Sequence, residues 1–274
     1  MDNGTKPFSE KAFDLTDEMR HEAAKAAALF NVASTLDERD QLIGWSINQI
    51  KRPPPVAANS YIVGGHHDAV KAKERLDSLN KARTGRRVLE FAAGFGRVTR
   101  HFKVLAPNDH FVASDIHPEA CQFITDSLGV ESLQSTTNPS ALSIDEKFDF
   151  IFVLSFFSHL PKKTFGPWLK ALYALLNPGG TLLFTTHGEY ALRKPGTAFA
   201  SYYKKSAGFG YRGFSEQRDL NSDDYGTAVV SMKFVLKELD RALSAYEVVS
   251  YRSAIWFGLQ DEWLVKKLEM SVSG

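Results

Sequence analysis

Apolar positions in the first eighty residues recur at helical spacing. Met19, Ala23, Ala26, Ala27 and Phe30 follow Thr16, whose hydroxyl can cap a helix, and Asp17 and Glu18 occupy the first turn, where the dipole favours anions. Ile43, Ile47 and Ile50 mark a second helix, which Pro53-Pro54-Pro55 stops for want of N–H donors. Ala69, Ala72, Leu76 and Leu79 form the stripe of a third. From Arg87 onward short apolar runs alternate with helical ones. Strands are predicted at Val88–Phe91, Phe111–Ser114, Ser132–Thr136, Phe148–Leu154 and Thr181–Thr186. Helices are predicted at Arg97–Leu105, at Pro118–Leu128 and through Phe165, Trp168, Leu169, Leu172 and Leu176. The fourth strand is almost wholly apolar, as a strand covered on both faces should be. Asn177-Pro178-Gly179-Gly180 reads as a helix stop and turn. The last two runs, Glu247–Ile255 and Trp263–Leu268, are too close for a helical crossover and should pair antiparallel.

Strands separated by helices imply right-handed crossovers and a parallel sheet, with ligands beyond the C-terminal strand ends. The expected organisation is a helical extension over 1–83 and an α/β domain over 84–274, with an insertion at 188–232. The chain has 274 residues, which at about 150 per domain suggests two domains or one with additions. Its single cysteine, Cys121, fits a reducing compartment. No apolar stretch approaches the ~18 residues of a membrane span, and the N-terminal run lacks the apolar core of a signal peptide. Lys and Arg total 33 against 32 Asp and Glu, a net charge of +1, without the basic surplus of a phosphate-backbone binder. The expectation is a cytoplasmic protein without nucleic-acid or membrane partners. No His, Cys or carboxylate spacing suggests a metal site.

Candidate chemistry concentrates in Val88-Leu89-Glu90-Phe91-Ala92-Ala93-Gly94-Phe95-Gly96-Arg97. Gly94 and Gly96 would let a ligand meet the backbone at the end of a parallel strand, where the following helix presents free N–H groups. The second strand ends in Asp115, a carboxylate placed to accept from ribose hydroxyls. A nicotinamide fingerprint would need a third glycine where Thr99 stands. Glu90 would repel a pyrophosphate but favour a cationic ammonium or sulfonium.

With these motifs the sequence resembles the class I S-adenosylmethionine-dependent methyltransferases over roughly residues 84–270. The resemblance implies a doubly wound, Rossmann-like α/β fold: a seven-stranded, mostly parallel sheet closed by an antiparallel C-terminal pair. It implies S-adenosylmethionine as cofactor, with Glu90, Ala92, Gly94 and Gly96 matching the first motif, Asp115 the ribose acid and Ile116 the adenine-packing neighbour. Ser155, after strand four, is grouped with these cofactor-binding residues. Ala92 departs from the family pattern by replacing the first glycine. The acid many members carry after strand three is absent, leaving Ser135 or Thr136 or the backbone to serve. Tyr61 and Gly65, read as lying ahead of the third helix, are candidates to close over the methionyl end, as N-terminal segments do in many members.

Methyl transfer is an in-line displacement that needs positioning in a dry pocket, and a base only for poorly acidic acceptors. His159 and His187, after strands four and five, are the candidate bases, imidazole being the side chain that ordinarily titrates near neutral pH. His66 and His67 read as neighbours on a solvated turn, and Lys71–Arg87 as a solvated helix face. The 188–232 stretch holds five of the nine tyrosines. By the resemblance it would shape the acceptor pocket, with Tyr190, Tyr203, Tyr211 and Arg212 as substrate candidates; an aromatic lid or a homodimer contact is the alternative. The implied acceptor is a small molecule or sugar unit, methylated on oxygen in preference to nitrogen. The rivals are a nicotinamide-dependent oxidoreductase and a non-catalytic binding protein of the same fold.

Overall fold

The computed structural model describes residues 10–79 and 84–269. The ends of the expected extension and domain, and the junction at 80–83, lie outside them. Seven strands form one sheet in the order β3-β2-β1-β4-β5-β10-β9, the mostly parallel sheet with an antiparallel C-terminal pair that the resemblance implies. They are β1 (Arg87–Phe91), β2 (His110–Asp115), β3 (Glu131–Gln134), β4 (Phe148–Val153), β5 (Leu176–His187), β9 (Tyr246–Trp256) and β10 (Gln260–Lys267). β1, β2 and β3 run parallel, as do β4 and β5, while β10 is antiparallel to both β5 and β9. By compactness the chain divides into two units, Met1–Ser135 with Glu216–Asp219, and Thr136–Ser215 with Leu220–Gly274.

In the first unit three helices precede the sheet: α1 (Asp17–Ala28), α2 (Gln41–Asn48) and α3 (Pro54–Leu79). Thr16 caps α1 by accepting from the Met19 N–H, and Asp40 caps α2 by accepting from those of Leu42 and Ile43. Met19, Ala23, Ala26, Ile43, Ala58 and Ile62 share one buried cluster. α2 ends at Asn48, ahead of the proline run expected to stop it, and Lys51 turns left-handed; the prolines instead begin α3, because proline's missing N–H and fixed φ suit a first helical turn. Tyr61, Gly65, His66 and His67 therefore lie inside α3, which corrects their expected placement ahead of it or on a turn. His66 stacks on Phe30 with centroids 3.9 Å apart. The basic stretch is not wholly a solvated face either: Arg86 is buried and paired with Asp109 at 2.6 Å. After β1 come α4 (Thr99–Leu105) and α5 (Pro118–Leu128), the latter opened by Pro118 and closed by left-handed Gly129.

In the second unit β4 is buried along its whole length. α6 (Lys162–Ala174) leads into β5, which starts at Leu176. Asn177–Gly180, expected as a turn, thus form the irregular start of that strand, with a register shift opposite Phe148/Phe150. The insertion folds into α7 (Glu189–Arg193), α8 (Phe199–Tyr202) and a small sheet of β6 (Tyr203–Lys204), β7 (Phe209–Arg212) and β8 (Thr227–Val230), ahead of α9 (Met232–Ala242). Strands this short carry too few alternations to show in the sequence. Among the described residues no helix is long and apolar enough to cross a membrane, and no cluster could hold a metal ion.

His101 on α4 and His187 at the end of β5 are both buried, and burial before all else pushes each down to about 3. Both stay neutral in the folded protein, whereas the unfolded chain protonates them near pH 6.5. Stability is therefore full above pH 6.5 and lost as pH falls below it, by up to about 1.4 kcal/mol per pH unit for each histidine. Thermal melts from pH 7 to 5 should show this decline, and His101→Leu should make it shallower. An equal slope in the two proteins would remove His101 from the account.

Candidate active site

The turn after β1 brings the first-motif residues together. Ala92, Gly94 and Gly96 all have positive φ, at 62°, 56° and 71°. The two glycines serve different ends. A Cβ at Gly96 would lie 2.4 Å from Leu128 Cδ1, whereas one at Gly94 would meet nothing within 4 Å. Gly96 thus packs the turn onto α5, and open space stands over Gly94. Ala92 adopts its left-handed conformation with a side chain in place, a strain tolerated where surrounding structure fixes the turn. The Gly94 N–H donates to Asp115 Oδ2 at 2.7 Å, joining the ends of β1 and β2.

Two acids beside this turn, Glu90 and Asp115, are in opposite states. Glu90 is buried, and burial raises its carboxyl to about 8 although Thr99 Oγ1 donates to its Oε2 at 2.6 Å. Thr99 thus replaces the third glycine of a nicotinamide fingerprint with the group that holds this carboxylate. Burial also works against ionised Asp115, yet bonds from His117 and Gly94 outweigh it and hold its pKa below the ordinary value. His117 donates to Asp115 Oδ1 from its backbone N–H (3.0 Å) and from Nδ1 (2.9 Å). Neither His117 nor its second partner, Asp219 (Nε2 to Oδ2, 2.6 Å), was singled out in the sequence. Only the single residue between Asp115 and His117 hinted at the first of these bonds.

Ile116 is half-buried beside Asp115, and its carbonyl accepts from Gln134 Nε2. The Ser135 N–H donates to the Asp115 carbonyl at 2.7 Å, so its backbone continues the end of β2. Tyr61 is buried, and its hydroxyl donates to Asp40 Oδ2 at 2.6 Å and reaches the Phe95 carbonyl at 3.5 Å. Gly65 sits where a Cβ would come within 2.2 Å of the Arg97 carbonyl oxygen. Its lack of a side chain is what lets α3 approach the turn, and Arg97 is pinned to α3 by Asp68 at 2.6 Å.

In the second unit a chain of hydrogen bonds distinguishes the two candidate bases. Thr185 Oγ1 donates to Gln260 Oε1 at 2.6 Å, which turns the Gln260 amide nitrogen toward Ser155 Oγ (2.9 Å) and His187 Nε2 (3.3 Å). His187 Nδ1 donates to the Ala228 carbonyl, so its Nε2 lone pair receives the amide N–H. That nitrogen is engaged and the ring is held neutral. His159 Nδ1 donates to the Gly226 carbonyl at 2.5 Å, which leaves its Nε2 lone pair directed at Ser155 Oγ, 3.4 Å away. Tyr225 lies parallel to the His159 ring at 4.8 Å. Ser155 holds a left-handed φ of 57°, fixed by its N–H donating to Thr185 Oγ1. Gln260 and Thr185 are members of this group that the sequence did not single out, while Tyr225 is one of the five tyrosines of the 188–232 stretch.

The substrate candidates do not gather there. Tyr203 packs against the cluster of Ala191, Phe199 and Val229. Tyr211 donates to the Ser222 carbonyl at 2.6 Å, and the Arg212 guanidinium lies over Phe214. Tyr190 is exposed on α7.

Residues 89–182 match the model of a methyltransferase domain. The chain resembles in structure an S-adenosylmethionine-dependent methyltransferase from Clostridium acetobutylicum ATCC 824, at 15% identity, over 82% of this chain and 96% of that one, with a TM-score of 0.52. It also resembles CalS10, an amino pentose methyltransferase from Micromonospora echinaspora, at 14% identity over 74% and 91%, TM-score 0.52. A third is the 1,6-didemethyltoxoflavin-N1-methyltransferase of Burkholderia thailandensis, at 15% over 94% and 93%, TM-score 0.51. At such identities the likeness is one of fold. No curated protein sequence matches the chain.

Gly65→Ala should force α3 off the turn and destabilise the protein by about 1–3 kcal/mol in denaturant titration. A variant as stable as the wild type would show that helix and turn do not meet as tightly as described.

Proposed function

Residues 89–182 are a methyltransferase domain of the S-adenosylmethionine-dependent class, set in the class I fold, and on that premise we propose that the chain O-methylates a small, hydroxylated acceptor such as a sugar unit. The observation that carries this reading is the His159 ring, with its proton fixed on Nδ1 by a carbonyl and its Nε2 lone pair facing a serine hydroxyl. Such an imidazole can take the proton of an acceptor hydroxyl, directly or through Ser155. The second reading is a nitrogen acceptor, favoured by the activity of one structural neighbour, the N1-methyltransferase of Burkholderia thailandensis.

When bound, the cofactor supplies a methyl group made electrophilic by a sulfonium. The residues present fit it. Open space over Gly94 leaves its backbone approachable, Glu90 offers a carboxylate to the cationic methionyl end, Asp115 accepts from ribose hydroxyls and Ile116 packs on the adenine. The extension over 1–83 braces the turn through Tyr61 and Gly65. The insertion over 188–232 shapes the acceptor side through Tyr225, stacked on His159, with Tyr203, Tyr211 and Arg212 holding its own fold and Tyr190 exposed on α7. His187 holds its neighbours rather than moving a proton. A cytoplasmic setting goes with the single buried thiol of Cys121.

Two measurements test this. At pH 7 the ligand-free protein keeps Glu90 protonated, since burial puts it at about 8, and a cationic ligand favours the carboxylate. Binding of S-adenosylmethionine at pH 7 should therefore release close to one proton, and affinity should rise from pH 6 to 8 and then level. Calorimetry in buffers of different ionisation enthalpy reads this directly, and zero proton release would take Glu90 out of the site. In an acceptor screen, His159→Ala should lower kcat by about a hundredfold or more on a hydroxyl acceptor with little change in cofactor affinity. An unaltered kcat, or turnover of amines alone, would replace the oxygen reading with the nitrogen one.

A further inference from the structure

His117 is gripped from both sides by carboxylates within the first unit. Its Nδ1 meets Asp115 at 2.9 Å and its Nε2 meets Asp219 at 2.6 Å, with the three side chains only 8%, 8% and 11% exposed. Two anionic acceptors require a proton on each ring nitrogen, so the ring is an imidazolium. Asp219 belongs to the short 216–219 stretch of the insertion, and that stretch is itself tied down. Gln41, the first residue of α2, donates from Nε2 to Asp219 Oδ1 at 2.7 Å and accepts the Arg218 N–H on Oε1 at 2.8 Å. The sequence therefore sends four residues, a hundred positions beyond β2, to supply the second anion for a histidine that follows the ribose acid.

We propose that His117, clamped by Asp219, is a positioning residue that holds the Asp115 carboxylate in its ribose-binding orientation, which makes the 216–219 stretch a structural part of the cofactor site. The inference rests on the reading of Asp115 given above. A buried imidazole with one carboxylate would tend to shed its charge, because burial penalises the cation. It would then lose one of its two N–H donors, and Asp115 would lose the charge partner that helps hold it ionised against burial. With both anions present, their bonds and charges outweigh burial and raise the ring to about 10. The charged groups that hold the proton on the ring are Asp115 from β2 and Asp219 from the insertion, the latter oriented by the neutral Gln41 on α2.

The test is calorimetric affinity for S-adenosylhomocysteine from pH 6 to 9, alongside NMR titration of the His117 ring, in the wild type and Asp219→Asn. The wild-type ring should stay protonated throughout. Asp219→Asn should bring its titration into this range, bind like the wild type at pH 6, and bind about tenfold more weakly at pH 9. Glu90 titrates in both proteins, so the ratio of variant to wild-type affinity isolates the imidazole, and its midpoint should coincide with the NMR midpoint. A ratio that is constant with pH, whether near one or uniformly reduced, overturns the proposal by making the clamp irrelevant or merely structural. If Asp219→Asn does not fold, Gln41→Leu loosens the same stretch without removing a charge and should show the same pH-dependent loss in smaller measure; a flat ratio there overturns the proposal equally. A wild type that binds no S-adenosylhomocysteine would instead defeat the cofactor reading itself, and this inference with it.

Discussion

The hydrogen bond from the Gly94 N–H to the Asp115 carboxylate ties together the C-terminal ends of two adjacent parallel strands, and much of the first unit is arranged to keep it. A turn that aims this N–H at β2 needs left-handed backbone at Ala92, Gly94 and Gly96, which the chain does not adopt without support. The support comes from below and behind. Arg100, buried on α4, donates to the carbonyls of Gly96, Ala33 and Thr35, and so fastens the turn to the segment between α1 and α2. The Ala93 N–H adds a bond to the Ser114 carbonyl. Gly65 completes the arrangement by letting α3 lie against Arg97.

Around that bond, burial sorts two carboxylates of the same chemistry into opposite roles. Asp115 is surrounded by donors and remains ionised. Glu90 has one hydroxyl donor and little solvent, so it keeps its proton until a cation arrives. A carboxyl held this way responds to charge: a cation beside Glu90 draws off its proton, so proton release is the natural signature of such a ligand's entry.

The second unit solves a different problem, that of burying two imidazoles close together. Each donates from Nδ1 to a backbone carbonyl of the 226–228 region, and burial holds His187 neutral beside its neighbour. The orientation of one amide then decides what each can do. Because Thr185 fixes Gln260 Oε1, the amide donates toward His187 and Ser155, occupying the first and leaving the second free to point its own proton at His159.

The sequence alone determined whatever depends on neighbours along the chain. It settled the strand-and-helix alternation from Arg87, the glycine turn, the terminal Asp115 and the late antiparallel pair, because periodicity, caps and turn residues act over a few positions. It misplaced the start of α3, since prolines unfit for a helix interior can still open a helix, and it missed the short strands of the insertion. Only the tertiary structure decided which polar groups meet. Glu90 finding Thr99, His117 caught between Asp115 and Asp219, and Gln260 choosing between two histidines are contacts between residues distant in sequence or on different elements. Their ionisation follows from burial and geometry that no local pattern encodes, because a carboxylate or an imidazole takes its charge from whatever the fold packs around it.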